Sequence, residues 1–265
     1  FKSGDEKSIN IASEKRIFNL RFIPLPEKGY ANVYGEDITE AKTASRAGME
    51  RAARMEKHNL NITDSINYAR RIQESILPGE DQIRKYFRDS FAMMIPKDIV
   101  SGDFLWVHEL VPERAYLLAL ADCTGHGVPG AMMSIIGHSL LNEIVETHGF
   151  TEPARVLKLL NTEVIKTLRQ KNGSGSSDGM DIALVHIDLV KMKIRFSGAY
   201  RPVLRMNGSL HVFNGDRQPI GGMHHKGERE FHVSEFDIAK GDSIYLMSDG
   251  LSDQFGGPEN KKFLT

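Results

Sequence analysis

The alternation of apolar and polar positions over residues 78–265 predicts strands arranged around two consecutive helices. Helical periodicity covers 128–148 and 152–171, and Gly149 and Pro153 separate the two. Strands at hairpin spacing precede and follow this pair, an order that favours an α+β fold with antiparallel sheets over an alternating parallel fold. The predicted strands are 91–95, 103–110, 115–122, 180–189, 193–199, 202–206, 209–213 and 242–249.

Residues 1–37 form a separate zone with short apolar alternations. The pattern predicts short strands that are broken at Pro24, Pro26 and Gly29. A sheet of two or three such strands is too small to be stable alone. The alternative is a disordered tag that contains a stray strand.

Residues 38–77 predict one long helix, because they contain no proline, a single glycine and many good helix formers. Steps of three and four from Ile38 to Ile76 give eight apolar residues in twelve positions, which is typical of a heptad seam. Asn59 lies at an a-type position, where a polar residue can specify register. The pattern predicts a coiled-coil linker that forms a homodimer, and the alternative is a lone helix packed on its own domain.

Composition narrows the class of protein. The 265 residues have a net charge of −1, so no global field would recruit nucleic acid or an anionic membrane. The single cysteine excludes an internal disulfide framework and favours a reducing cytoplasm. No apolar run approaches the roughly 20 residues that span a bilayer. Because the chain begins at Phe1 without a signal-peptide pattern, we expect a piece of a longer cytoplasmic protein, which could be attached to a membrane upstream.

Three aspartates occur in one context, at the end or start of an apolar strand and close to glycine. They are Asp103 in VSGDFLW, Asp122 in LALADCTGHG and Asp249 in IYLMSDGLSD. One such aspartate alone is typical of a turn, since Asp tolerates positive φ and Gly supplies it. Three such sites in one domain favour a shared role over three separate turns. If the strands that end at Asp122 and Asp249 are neighbours, both carboxylates emerge at one sheet edge.

Crowded carboxylates repel one another unless a cation joins them, and Mg²⁺ and Mn²⁺ prefer oxygen ligands. Gly102, Gly125, Gly127 and Gly250 would let the backbone approach such a site, where a backbone carbonyl could complete the coordination. Two ions that share a carboxylate would generate hydroxide and hold it in line with a phosphoryl group. We therefore expect the bare turn to let Asp122 bridge two metal ions.

Other chemistries have less support. The histidines lack zinc-ligand spacing, the serines lack a nucleophile elbow, and no Walker A or Rossmann glycine pattern occurs. Cys123 is more typical of a small buried residue than of a reactive thiol.

The segments IVSGDFLW, LALADCTGHGVPGAMMS, FSGAYRPVL and YLMSDGLSDQFGG resemble the SpoIIE-type branch of the metal-dependent PPM (protein phosphatase 2C-like) serine/threonine phosphatases. INYARRIQESILP resembles the helix that leads into such domains, so the resemblance covers about 64–265. It implies an α-β-β-α sandwich with two Mn²⁺ or Mg²⁺ ions between the sheets. It also implies hydrolysis of phosphoserine or phosphothreonine, often on anti-sigma-factor antagonists, by metal-bound water.

The resemblance assigns roles to matching positions. Asp122 matches the bridging ligand and the Cys123 carbonyl a backbone ligand of one metal, while Asp103 and Asp249 match carboxylates of the second metal. The remaining candidates are Gly102, Gly125, His126 and Gly127 at turn and switch positions, Asp181 and Asp253 as additional ligands, and Lys97 and Arg201 as substrate contacts. Asp181 heads a predicted strand and could face the metals, and the alternative is an acid that flanks the strand in a loop.

The segment GYANVYGEDITEAK resembles the last strands of a PAS sensor domain and its exit into a signalling helix. The implied organisation is a PAS-like tail (1–37), a coiled-coil linker (38–77) and a phosphatase domain (78–265). Such a linker is expected to move the helices that begin near Val128 and so assemble the metal site. The family's domain continues with a helix and a strand that carry a DD motif, and we expect this chain to lack them after Thr265.

Two other functions fit parts of the pattern. One is a catalytically inactive module that binds a phosphoprotein, although a degenerate site would usually have lost one of the three aspartates. The other is a phosphodiesterase or nuclease with the same metals, against which the neutral charge and the absence of a basic stripe count.

Overall fold

The computed structural model describes residues 5–170, 176–222, 228–256, 258 and 260–262. The chain divides into two compact units, Phe1–Ser65 and Ile66–Thr265. None of the helices in the described residues is long and apolar enough to cross a membrane.

The first unit contains an antiparallel sheet of β1 (Lys7–Ser13), β2 (Arg16–Leu25) and β3 (Tyr30–Asp37), with β2 in the centre. The predicted break at Pro24 is wrong, because β2 continues through this residue and pairs it with Ala31 of β3. The pairing with β1 ends at Phe22. Pro24 therefore lies where β2 has one neighbour, and a proline without an N–H donor is tolerated at such an edge.

Helix α1 (Thr39–Ile76) follows this sheet. Its start is held by two side chains, since Asp37 accepts a hydrogen bond from the Thr39 backbone N–H at 3.0 Å and the Thr39 hydroxyl accepts one from the Ile17 N–H at 2.8 Å. Residues 40–64 of the helix are exposed. In the second unit the predicted seam is used differently, because Ile66 and Ala69 are half-buried and Gln73 is buried. The last turns of α1 thus pack on the domain that they lead into.

The second unit is α+β, as predicted. A sheet in the order β11-β7-β6-β5-β4, with β10 added beside β6, and a sheet in the order β12-β8-β9 are both antiparallel. The elements are α2 (Glu80–Tyr86), β4 (Phe104–Val111), β5 (Ala115–Cys123), α3 (Gly127–Asn142) with a π-helical turn (Glu143–Thr147), α4 (Pro153–Thr167), β6 (Gly179–Asp188), β7 (Lys193–Ala199), β8 (Val203–Met206), β9 (Leu210–Phe213), β10 (Ile220–Gly221), β11 (Ser234–Asp237), β12 (Ser243–Leu246), β13 (Phe255–Gly256) and β14 (Lys261–Lys262).

Two buried clusters define the layers of this unit. One lies between the larger sheet and helices α3 and α4 and includes Phe104, Trp106 and Leu157. The other joins the opposite face of that sheet to the smaller sheet and includes Val185 and Val203. Alternate residues of each central strand serve the two clusters, which explains why β5 and β6 have few polar positions. The layers are therefore helices, sheet and sheet.

One predicted strand is wrong. Residues 91–95 form no strand, and Phe91, Met93 and Ile95 are exposed. An apolar run becomes a strand only when a neighbour pairs with it, and no strand of the described residues pairs with this one. The sequence also failed to predict helix α2, which is only seven residues long.

Candidate active site

Three aspartates lie side by side at one end of the larger sheet. Asp122 of β5 pairs in register with Asp181 of β6, and Ala121 pairs with Phe104, the residue after Asp103. Successive side chains of a strand point to opposite faces. Because Phe104 and Ala121 face the helices, the three aspartates face the layer between the two sheets.

Two more residues reach this site, one after a strand of the smaller sheet and one from the connection between the two sheets. Asp249 follows β12, and Arg201 lies between β7 of the larger sheet and β8 of the smaller one. One guanidinium nitrogen of Arg201, Nη2, lies 2.6 Å from Asp122 Oδ2, 2.8 Å from Asp249 Oδ2 and 3.3 Å from Asp181 Oδ2. The Arg201 side chain is only 16% exposed. We call Asp103, Asp122, Asp181 and Asp249 the acid cluster.

Electrostatics single out Asp122 within this cluster. Burial, together with the charge of Asp103, raises the pKa of Asp122 to about 7, although the charge of Arg201 acts in the opposite direction. Burial also raises the pKa of Asp181. For Asp249 burial acts in the same direction, but the hydrogen bond and charge of Arg201 outweigh it and hold its pKa below the ordinary value. The carboxylates are therefore crowded beyond what one guanidinium neutralises.

The turn after Asp122, residues 123–127, is packed backbone against backbone. A Cβ atom on Gly130 would lie 2.5 Å from the Gly125 carbonyl oxygen, and one on Gly102 would lie 2.9 Å from the same atom. Gly125 and Gly127 have φ of 84° and 65°, which favour glycine. The small residues thus let the segment before Asp103 and the first turn of α3 approach the turn closely.

The remaining predicted residues lie in different places. Cys123 is buried, and burial raises the pKa of its thiol well above the usual range, as suits a buried residue rather than a nucleophile. His126 is exposed and its Nδ1 lies 2.7 Å from Asp98 Oδ2, a partner that no motif indicated. Lys97 is exposed and forms no ion pair within the described ranges. Asp253 pairs with Lys262 at 2.7 Å rather than with the acid cluster.

Gln73 is a residue that sequence reasoning placed on the helical seam and not at the site. Its side chain is 5% exposed. Its Nε2 donates to the Ser101 carbonyl oxygen at 2.6 Å and to the Ser134 hydroxyl at 2.8 Å, and its Oε1 accepts from the Ser101 N–H at 3.0 Å. The end of α1 is therefore hydrogen-bonded both to the segment that leads into Asp103 and to α3. Nothing in the sequence indicated this role, because Gln73 is one of several non-apolar residues on the predicted seam.

The oxygen donors of the site suit a hard divalent cation such as Mn²⁺ or Mg²⁺, because they are carboxylates with the nearby Cys123 carbonyl. In the part of the chain that the structure describes, no three Asp, Glu, His or Cys side chains converge closely enough to hold an ion. Arg201 lies among three of the carboxylates instead. The ligand types of the site therefore suit a metal ion, and the position of Arg201 determines whether the carboxylates have room for one.

Comparison with known proteins identifies the domain. Residues 112–264 match the model of the family Stage II sporulation protein E (SpoIIE), which is more than half of the chain. The chain belongs to the SpoIIE family. The structure of the SiaA-PP2C domain of Pseudomonas aeruginosa is 29% identical, with a TM-score of 0.69 over 78% of this chain and 80% of that one. The predicted PP2C-type phosphatase domain is thereby confirmed.

A relative with an assigned activity is similar over most of the chain. The phosphoserine phosphatase RsbP of Bacillus subtilis (strain 168) is 24% identical over 206 residues, which are 75% of this chain and 47% of RsbP. The chain thus spans about half the length of this curated relative. The SpoIIE-family domain accounts for the shared phosphatase fold, and substrates and regulation are matters for proposal.

Proposed function

We propose that the protein hydrolyses phosphoserine or phosphothreonine on a signalling protein, such as an anti-sigma-factor antagonist, with two Mn²⁺ or Mg²⁺ ions. Membership of the SpoIIE family supports the reaction class. The observation that carries the proposal is the row of Asp103, Asp122 and Asp181 at the same end of three neighbouring strands, with Asp249 opposite. Two divalent ions bound there would activate water for in-line attack on a phosphoryl group.

Each residue has a proposed task in this site. Asp122, at the centre of the row, would be the ligand shared by both ions, and the Cys123 carbonyl would add a backbone oxygen. Asp103 and Asp249 would hold the second ion, and Asp181 would be an additional ligand. Arg201 and Lys97 are proposed contacts of the anionic substrate, Arg201 because it already lies at the acid cluster and Lys97 because it is exposed beside Asp98, the partner of His126.

The proposed regulation passes through the helix that leads into the domain. A PAS-like sensor tail (1–37) and a coiled-coil linker (38–77) that forms a homodimer would shift α3 and complete the site. The hydrogen bonds of Gln73 support this route, because they join the last turns of α1 to Ser101 and Ser134. The exposed apolar side chains on the seam of α1, among them Met55 and Ile62, support the dimer. We place the protein in the cytoplasm because it has a single, unpaired cysteine.

Substitution of Asp122 tests the reaction. Asp122→Ala should lower Mn²⁺-dependent hydrolysis of a phosphoserine peptide and of p-nitrophenyl phosphate by at least about a thousandfold, or ~4 kcal/mol of transition-state stabilisation, because both ions lose a shared ligand. Asp237→Ala, which removes an exposed aspartate near Lys193, is the matched control and should leave the rate unchanged.

Three outcomes would contradict the proposal. Near-normal turnover in Asp122→Ala would exclude a shared-ligand site at this position. Tight binding of the phosphopeptide without turnover in the unaltered protein would favour the phosphoprotein-binding module instead. Hydrolysis of nucleic acid but not of phosphopeptide would favour a nuclease.

A further inference from the structure

The backbone around Arg201 is closely held, so its side chain has a defined direction. Tyr200 has a φ of 59°, and the Arg201 N–H donates to the Ala199 carbonyl oxygen at 2.7 Å. A Cβ atom on Gly198 would lie 2.4 Å from the Arg201 carbonyl oxygen, which leaves this crossover no room to shift. Pro202 follows, and its ring fixes its own φ, which restricts the backbone directly after Arg201. The crossover between the sheets therefore aims the guanidinium into the acid cluster.

The guanidinium contacts three carboxylates through one nitrogen atom. An arginine that recognises a carboxylate commonly uses two parallel N–H donors. Here a single nitrogen, Nη2, faces oxygens of Asp122, Asp249 and Asp181. The Nε of Arg201 is buried and donates to no acceptor within the described residues. One nitrogen surrounded by three carboxylate oxygens is the arrangement that a small cation would take.

We infer that Arg201 is a resident cation of the acid cluster, and that divalent metal loads the site by displacing its guanidinium. The inference rests on the proposed function, since it takes the acid cluster as the metal site. Oδ2 of Asp122 and Oδ2 of Asp249 face Nη2 at 2.6 and 2.8 Å, so a metal ion that binds these oxygens competes with the guanidinium for them. Metal binding is then an exchange of one cation for another.

The exchange has two consequences. In the protein without metal, the guanidinium of Arg201 offsets the mutual repulsion of the carboxylates. It therefore holds the two sheets together at this end. With two divalent ions bound, the four carboxylates would be neutralised without Arg201, and its guanidinium would move away from the positive charge. The metal affinity of the domain is therefore lower than its carboxylates alone would provide, and Arg201 sets it.

Manganese titration tests the exchange without reference to catalysis. The Kd for Mn²⁺ is measured on the whole chain from the electron paramagnetic resonance signal of free Mn²⁺ at pH 8. Arg201→Met should bind Mn²⁺ about tenfold more tightly, which corresponds to about 1.4 kcal/mol, because no cation competes. The matched control is Arg195→Met. Arg195 lies on β7, the strand before Arg201, and its guanidinium pairs with Glu152 and Glu235 and not with the acid cluster.

A conservative variant and thermal unfolding guard against a folding defect. Arg201→Lys keeps the charge and should remain within about threefold of the unaltered affinity, since the ammonium still competes. In EDTA, Arg201→Met should melt below the unaltered protein, and Mn²⁺ should raise its Tm by more than it raises that of the unaltered protein.

Several results would overturn the inference. They are an unchanged or weaker Mn²⁺ affinity in Arg201→Met, an equal gain in Arg195→Met, and no Mn²⁺ binding by any variant. A failure of the proposed function is distinguishable, because it would leave Mn²⁺ binding and its dependence on Arg201 intact while the phosphopeptide is not hydrolysed.

Discussion

Replacement of Gln73 by alanine should destabilise the second unit (Ile66–Thr265) although the residue lies far from its sheets in the sequence. The side chain makes three hydrogen bonds, two to the Ser101 backbone and one to the Ser134 hydroxyl. Each bond between neutral groups contributes about 1 kcal/mol net. The Ser101 carbonyl and the Ser134 hydroxyl keep each other as partners at 3.3 Å, so the Ser101 N–H is the group left without its acceptor.

The expected loss in the free energy of unfolding is about 2–4 kcal/mol, because the orphaned N–H adds its desolvation to the lost bonds. Urea unfolding followed by the fluorescence of Trp106 measures it directly. Trp106 is the only tryptophan of the chain and is buried between the larger sheet and the helices, so its emission reports on this unit. Phosphopeptide hydrolysis under folding conditions should fall as well, because the segment before Asp103 loses its anchor on α1.

The neighbouring residue offers a matched control. Glu74→Ala removes an exposed carboxylate that lies 3.6 Å from Arg70, and a surface pair of this kind contributes less than about 0.5 kcal/mol. A change of under about 0.5 kcal/mol in Gln73→Ala, equal to that of the control, would refute the assignment of Gln73 as the link between α1 and the site.

The remaining predictions concern a glycine contact and the linker. Gly130→Ala places a Cβ atom 2.5 Å from the Gly125 carbonyl oxygen, so it should lower the free energy of urea unfolding by about 2 kcal/mol and the rate of hydrolysis by at least about tenfold. The control Gly48→Ala, whose Cβ atom would have nothing within 4 Å, should be neutral or slightly stabilising. Equal behaviour of the two variants would contradict the contact. Asn59→Ile replaces an exposed polar residue at an a-type position and should strengthen self-association in sedimentation experiments; an unchanged sedimentation coefficient at all concentrations would count against a coiled coil.

The sequence alone determined the class of fold and the acids that end its strands. The order of strands and helices excluded an alternating parallel sheet, because hairpin spacing leaves no room for crossover helices. Asp122 was recognisable because it ends a strand whose other residues are apolar and precedes a turn of small residues. These features are local, and the secondary structure that such periodicity and turn residues favour is the same in the folded domain.

The tertiary structure decided which of these residues meet. Asp181 joins Asp122 only through the register of β5 and β6, with α3 and α4 between them in the chain. Arg201 enters the acid cluster because its crossover joins the two sheets, and Gln73 turns from a seam position into an anchor because α1 ends against Ser101. Each of these contacts joins segments that are distant along the chain, and their pairing depends on the packing of the whole domain, which no local window of sequence contains.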